Sequence, residues 1–293
     1  MLITLVLILL TTSAAEVFAA QKIKVVTTLT FLEDFVKNVG GNRVEVKSLL
    51  TGLESEHTYT PKPSDIASVR EARVLVKIGL GLEIWVDSLI KNASNNNLTV
   101  VTTSTGIPLL RSEERDSHDH DERSAGNPHI WLDPERAKVM IRHITDALIK
   151  IDPAGRKVYL VNQSEYFKKI DTMRINIEKK LRAVPNRKII THHPAWPYFA
   201  QRFKLQIADN IQTQVGSEPS AKHVAALINK IRQENIRVIV SEPQLNPKIP
   251  KAISEETKAK LIVLTPVPGG LPGTGTYIDM MEYNGEQLAT GLK

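Results

Sequence analysis

Short β-rich runs alternate with segments of helical period along nearly the whole chain, and that alternation restricts the fold to parallel βα units. In the first half, strands are expected at 22–29, 43–50, 74–78 and 98–102, with helices at 31–39, 64–72 and 83–91. A helix at 134–151 follows, with Asp133 as its cap. In the second half, strands are expected at 188–191, 238–240 and 261–264, with helices at 198–203, 220–234, 251–259 and 278–292. Between the two series lies a segment free of proline from Pro153 to Pro185. Among its apolar residues, Tyr159, Tyr166, Ile170, Met173, Ile177 and Leu181 fall at helical spacing, a single stripe. About thirty residues at 1.5 Å each make a rod of roughly 45 Å. So long a helix with one narrow apolar stripe suits a connection between two domains.

Composition removes several classes of function. The 293 residues include no cysteine, which excludes a disulfide framework, a thiolate metal site and a cysteine nucleophile. The formal charge of +6 is spread over scattered Lys and Arg with no basic block, so nucleic acid is not an expected partner. One apolar run meets the standard of a membrane-directed segment. It covers residues 2–10, and Val17-Phe18-Ala19 then places small residues for cleavage after Ala19. Residues 1–19 are read as a signal peptide. No Lys or Arg precedes the run, so either the start codon lies upstream or the N-terminal amine supplies the charge. Export without a lipid-anchor cysteine points to a free periplasmic protein.

Histidine is the residue type through which this chain can do metal chemistry. His143 and His223 fall inside helical patterns with nothing polar arranged around them, and are read as surface or packing residues. His118 and His120 lie in His118-Asp119-His120-Asp121, within a charged surface loop at 112–127. This loop is either an auxiliary metal-capture segment or a plain solvated one. His57, His129 and the pair His192-His193 each stand at a strand-to-helix junction. Such junctions line the crevice at the carboxyl ends of open parallel sheets. Neutral imidazole is a common metal ligand, and three of them with a carboxylate make a good Zn²⁺ shell.

The motifs around those histidines are Ser55-Glu56-His57-Thr58-Tyr59-Thr60-Pro61, Asn127-Pro128-His129-Ile130-Trp131-Leu132-Asp133-Pro134 and Thr191-His192-His193-Pro194-Ala195-Trp196-Pro197. Glu218-Pro219-Ser220, Ser241-Glu242-Pro243-Gln244 and Gly273-Thr274-Gly275-Thr276-Tyr277-Ile278-Asp279-Met280-Met281 follow. Over essentially the whole mature length, the chain resembles the zinc/manganese-binding solute-binding proteins of bacterial ABC importers, the cluster A-I (cluster 9) family. It is most similar to their periplasmic zinc-binding members.

The resemblance implies two α/β lobes, each with a mainly parallel sheet flanked by helices, joined by one long rigid helix. The lobes would cover 20–152 and 185–293, the linker 153–184, and the metal would sit in the cleft between them. It implies His57, His129 and His193 as ligands, with His192 a neighbour. It also implies a monomer that delivers Zn²⁺ to an ABC permease in the inner membrane and catalyses nothing. Many members carry an Asp where this chain has Gly275, and Asp279 lies within the following helix, so neither supplies the fourth donor. In some zinc-binding members the Glu directly before the first His completes the shell; Glu56 fits that slot, with water as the alternative.

Three nitrogens and one oxygen favour Zn²⁺ over Mn²⁺, which remains the alternative cargo. Ordinary imidazoles would lose metal as pH falls through about 6.5. A secreted zinc hydrolase is the rival reading, since three His and an open position also serve catalysis. No His-Glu-x-x-His or Gly-x-Ser-x-Gly motif supports it. An organic-solute receptor would present aromatic and Arg contacts instead of junction histidines. A second role in surface adhesion stays open.

Overall fold

A computed structural model describes residues 22–110, 126–213 and 216–293. The leader at 1–19 and the His118-Asp119-His120-Asp121 segment lie outside them. Each half builds a four-stranded, all-parallel sheet. The first contains β1 (Ile23–Thr27), β2 (Val44–Ser48), β3 (Val74–Lys77) and β4 (Thr99–Thr102) in the order β2-β1-β3-β4. The second contains β5 (Lys188–Thr191), β6 (Gln206–Asn210), β7 (Val238–Ser241) and β8 (Lys260–Val263) in the order β6-β5-β7-β8. The shared order puts a topological switch point beside the first strand of each sheet, where neighbouring crossovers run to opposite sides.

The helices are α1 (Thr30–Gly40), α2 (Pro63–Glu71), α3 (Val86–Ala93), α4 (Pro134–Ile151), α5 (Arg156–Arg182), α6 (Pro197–Phe203), α7 (Ala221–Gln233), α8 (Lys248–Thr257) and α9 (Tyr277–Gly291). The two-lobe α/β architecture and the long connecting helix expected from the sequence are both present. In α5 the buried residues are Tyr159, Tyr166, Ile170, Met173, Ile177 and Leu181, the stripe read from the spacing. The helix is shorter than the expected linker of 153–184. A 3-10 turn at Pro153–Gly155 precedes it, and its 27 residues span about 40 Å. Asp152 accepts from Gly155 N and from Arg43, and that cap fixes the turn.

One apolar core runs through α5 from lobe to lobe, taking in Phe31 and Phe35 of α1, Trp131, and Tyr277 and Met281 of α9. Gly285 permits the α5–α9 approach, because a Cβ there would meet Ile177 at 2.9 Å. A smaller cluster of Ile190, Ile231, Ile239 and Ile253 fills the far face of the second sheet. Polar bonds also cross between the lobes. Trp131 Nε1 donates to the Pro266 carbonyl at 2.7 Å, and Tyr277 OH to the Trp131 carbonyl at 2.7 Å. Arg202 of α6 grips Asp133, the cap of α4, with two bonds of 2.7 and 3.1 Å. Gly52, at φ +99°, lies so close to the Pro268 carbonyl that a Cβ would sit 2.3 Å from its oxygen.

Candidate metal centre

The segment that carries Glu56 and His57 joins β2 to α2 without a helix or strand of its own. Its start is tied by Thr51, whose backbone N and Oγ1 each donate to Glu54 at 2.8 Å. Trp85 Nε1 then holds the Glu56 carbonyl at 3.1 Å. Residues 56–58 form a turn, so neighbouring side chains that diverge in extended backbone both face inward here. Glu56 is 1% exposed, whereas His57 is only partly buried, with 18% of its side chain exposed.

His129 arrives just ahead of a 3-10 turn at Ile130–Leu132. His193 arrives two residues past β5, at the switch point of the second sheet. Glu56, His57, His129 and His193 each offer one ligand atom, and these atoms all lie within 4.8 Å of one another. The Nε2 atoms of His129 and His193 are 3.4 Å apart, and Glu56 Oε1 is 3.5 Å from His129 Nε2. Two donors at about 2.0–2.1 Å from a tetrahedral Zn²⁺ stand roughly 3.3–3.4 Å apart, so the spacing fits that ion.

Hydrogen bonds behind the rings set which nitrogen faces the cluster. Asn127 Nδ2 donates to the Pro194 carbonyl at 2.6 Å, which makes its Oδ1 an acceptor. His129 Nδ1, 3.1 Å from that Oδ1, must then carry the proton, leaving the Nε2 lone pair on the cluster. Glu242 Oε1, acceptor only when ionised, stands 2.7 Å from His193 Nδ1 and fixes the same tautomer there. Two lone pairs 3.4 Å apart in a buried site repel each other unless an electrophile sits between them. Glu56 Oε1 and His57 Nε2 are buried with no hydrogen-bond partner. Buried polar atoms are rarely left so, and four donors converging on one point match what a divalent metal requires.

Burial also governs protonation. It pushes His57 down to about 3, with His129 and His193 adding repulsion against a positive charge and Glu56 opposing it. Burial, then the neighbouring His193, holds His129 well below the usual imidazole range. Both rings are thus lowered from the ordinary imidazole value on which the expected loss of metal near pH 6.5 rests.

The remaining residues singled out in the sequence fall elsewhere. His192 is buried, with Nδ1 3.5 Å from Ser241 Oγ, and is not in the four-donor group. Gly275 is exposed, and a Cβ there would meet no atom within 4 Å. Asp279 is occupied in the first turn of α9, its Oδ2 accepting from Oγ1 of the cap residue Thr276 at 2.6 Å. His143 and His223 do have polar partners, correcting the expectation of none. They donate to the carbonyls of Thr103 at 2.8 Å and Asn210 at 2.9 Å, so they tie helices to strand ends. Asn127 and Glu242 were present in the motifs, but sequence reasoning gave neither a role.

Comparison with known proteins bears on this geometry. The family model described as zinc-uptake complex component A, periplasmic, matches residues 25–291. The chain belongs to that family. Among curated relatives, the zinc-binding protein AdcA of Streptococcus pyogenes serotype M6 is 28% identical, over 94% of this chain and 57% of its own length. The chain thus spans little more than half of that relative. The manganese-binding lipoprotein MntA of Halalkalibacterium halodurans is also 28% identical, over 93% of this chain and 89% of its own length. Among solved structures, a crystal structure of ZnuA superposes with a TM-score of 0.82 at 27% identity, covering 93% of this chain and all of that one. The family's two-lobe architecture is the one described above.

Proposed function

We propose that this chain captures Zn²⁺ outside the cytoplasm and delivers it to the membrane permease of an ABC importer. The ligands on this reading are His57, His129, His193 and Glu56. The observation that carries it is the convergence of those four donor atoms, within 4.8 Å of one another, between two parallel sheets. Membership of a zinc-uptake family gives the cluster its direction of use. Four protein donors also fill a tetrahedral shell, whereas a hydrolytic zinc needs an open position for water. That supports a carrier with no catalysis over a zinc hydrolase. We further propose a signal peptide at 1–19, lobes at 20–152 and 185–293 with the linker at 153–184, a monomeric state, a periplasmic location, and no nucleic-acid partner.

Zinc over manganese follows from the donors. Three imidazoles and one carboxylate suit Zn²⁺, while Mn²⁺ prefers oxygen-rich sites. The manganese reading keeps one specific support, the MntA relative at the same identity as AdcA. Elemental analysis of the purified protein, followed by competition of Zn²⁺ against Mn²⁺, tests the proposal. One tightly held Zn²⁺ per chain that excess Mn²⁺ does not displace is expected. Preferential retention of Mn²⁺ would replace the zinc reading, and no retained metal would remove both.

A further inference from the structure

Glu242 is a buried acid that the four-donor shell does not use. It stands one residue past β7, directly across from the end of β5, because Thr191 and Val240 are register partners. Its carboxylate is 2% exposed. Oε1 accepts from His193 Nδ1 at 2.7 Å and from Trp196 Nε1 at 3.0 Å, and Oε2 accepts from Gln244 Nε2 at 3.0 Å. Other buried acids are closed off from the cluster. Glu83 is taken up by the backbone N atoms of Ile78 and Gly79 and by Thr28 Oγ1. Asp34 is taken up by Tyr166 OH and the Tyr277 backbone N. Glu242 alone of the three bonds a ring of the donor cluster.

Its charge has no fixed counterpart. Among the described residues, neither Glu242 nor Glu56 pairs with a Lys or Arg; their ion-pair neighbours are His193 for the first and His57 and His129 for the second. Burying an ionised carboxylate without a counter-charge is expensive. With both carboxylates ionised and the three imidazoles neutral, the cluster would carry a charge of minus two, which a divalent cation cancels and a monovalent one does not.

We infer that Glu242 positions His193 and, together with Glu56, matches the charge of a divalent cargo. The inference rests on the four-donor reading proposed above. The carboxylate holds His193 with Nε2 toward the cargo and raises the basicity of that nitrogen. Its negative charge reaches the ion through one imidazole ring in a site shielded from water.

Two substitutions separate the contributions. Glu242→Gln keeps the shape and leaves an oxygen to accept from His193 and Trp196. Its new amide meets Gln244, whose Oε1 is buried without a partner and can turn to accept. This variant removes charge alone. Glu242→Ala removes charge and positioning together. Affinities for Zn²⁺ and for Ag⁺, a monovalent probe, are measured by chelator competition, and the ring tautomer of His193 is read from ¹⁵N correlation spectra of the metal-free protein. Outer-shell partners typically contribute about 10- to 100-fold in metal affinity. The Gln variant should therefore lose about tenfold for Zn²⁺ but little for Ag⁺, keeping the Nδ1–H tautomer, and the Ala variant about 100-fold with a mixed tautomer.

An unchanged Zn²⁺ to Ag⁺ ratio in the Gln variant would overturn the charge match. An Ala variant that binds Zn²⁺ like the parent would overturn the positioning role. If the Ala variant does not fold, the Gln variant decides. His193→Ala in the same titration keeps the two readings apart. If it too leaves Zn²⁺ binding intact, the four-donor site is wrong; if it abolishes binding while both Glu242 variants bind normally, only this inference falls.

Discussion

His129 and His193 each have a residue behind the ring, Asn127 and Glu242, whereas no hydrogen bond reaches the ring of His57 among the described residues. The supported pair is also tied across the lobes, since Asn127 Nδ2 bonds the carbonyl of Pro194 beside His193 and Tyr198 OH bonds the Asn127 carbonyl at 2.7 Å. Glu56 and His57 instead ride a connection between β2 and α2 that is made of bends and turns. One half of the donor set is thus fixed by the fold before any ion arrives. The other half is held by Trp85 at one carbonyl, and no hydrogen bond reaches its two donor atoms, Glu56 Oε1 and His57 Nε2. On the proposed function, the supported pair would serve capture and the less supported pair release.

The strongest way to break the comparison is to remove donors one at a time. A structural zinc site is worth about 10–16 kcal/mol, so one donor of four carries affinity on the order of 100- to 1000-fold. His193→Ala and His129→Ala are expected at the upper end of that range, His57→Ala at the lower end, and Glu56→Ala below all three because water can replace an oxygen donor. Chelator-competition titrations rank the four directly. A loss for His57→Ala equal to that for His193→Ala would show that the supported pair is not the anchor.

A smaller effect should appear in dynamics. Zn²⁺ should increase amide protection across residues 51–62 while changing little at 127–133 and 191–195, as read by hydrogen exchange with and without the ion. The radius of gyration should stay the same, because α5 and the bonds of Trp131, Tyr277 and Arg202 already tie the lobes together. Uniform protection of all three segments, or compaction on metal binding, would replace local ordering with lobe closure.

What the sequence showed and what it hid follow one physical division. Periodicity exposed the elements that bury a regular face: the α5 stripe residue by residue, and α4 and β5 at their observed ends. β6 escaped because it is an edge strand with Gln206, Asp209 and Asn210 among its five residues, half-exposed and without apolar alternation. α8 begins three residues earlier than the expected 251, at Lys248, and takes in Pro250. Pro250 sits in the first helical turn, where the missing N–H has no intrahelical partner to lose. The donors His57, His129 and His193 were legible as histidines at junctions, and Glu56 through the family resemblance. Glu242 was not, since its link to His193 spans 49 residues and exists only where β5 and β7 pair. The visible signal was an acid directly after a strand, at a junction equivalent to those of the histidines.

The subtlest test uses protons in place of metal. In the metal-free protein, burial holds His57 at about 3 and His129 well below its ordinary range, so both rings are neutral when folded. In the unfolded chain both titrate near 6.5. Below that value the unfolded state binds more protons than the folded one, so stability is complete above about pH 6.5 and declines as pH falls toward the folded value. Each histidine contributes a slope of at most about 1.4 kcal/mol per pH unit. Thermal melts of the metal-free protein between pH 7.5 and 5 should therefore show a falling Tm, and His57→Asn should make the decline shallower. The same substitution then sharpens the contrast between the two halves of the site. A shallower slope means that the unsupported loop stays closed over the cluster without metal, as described here. An unchanged slope would mean that His57 is already solvated in solution, and that the loop closes only when the cation arrives.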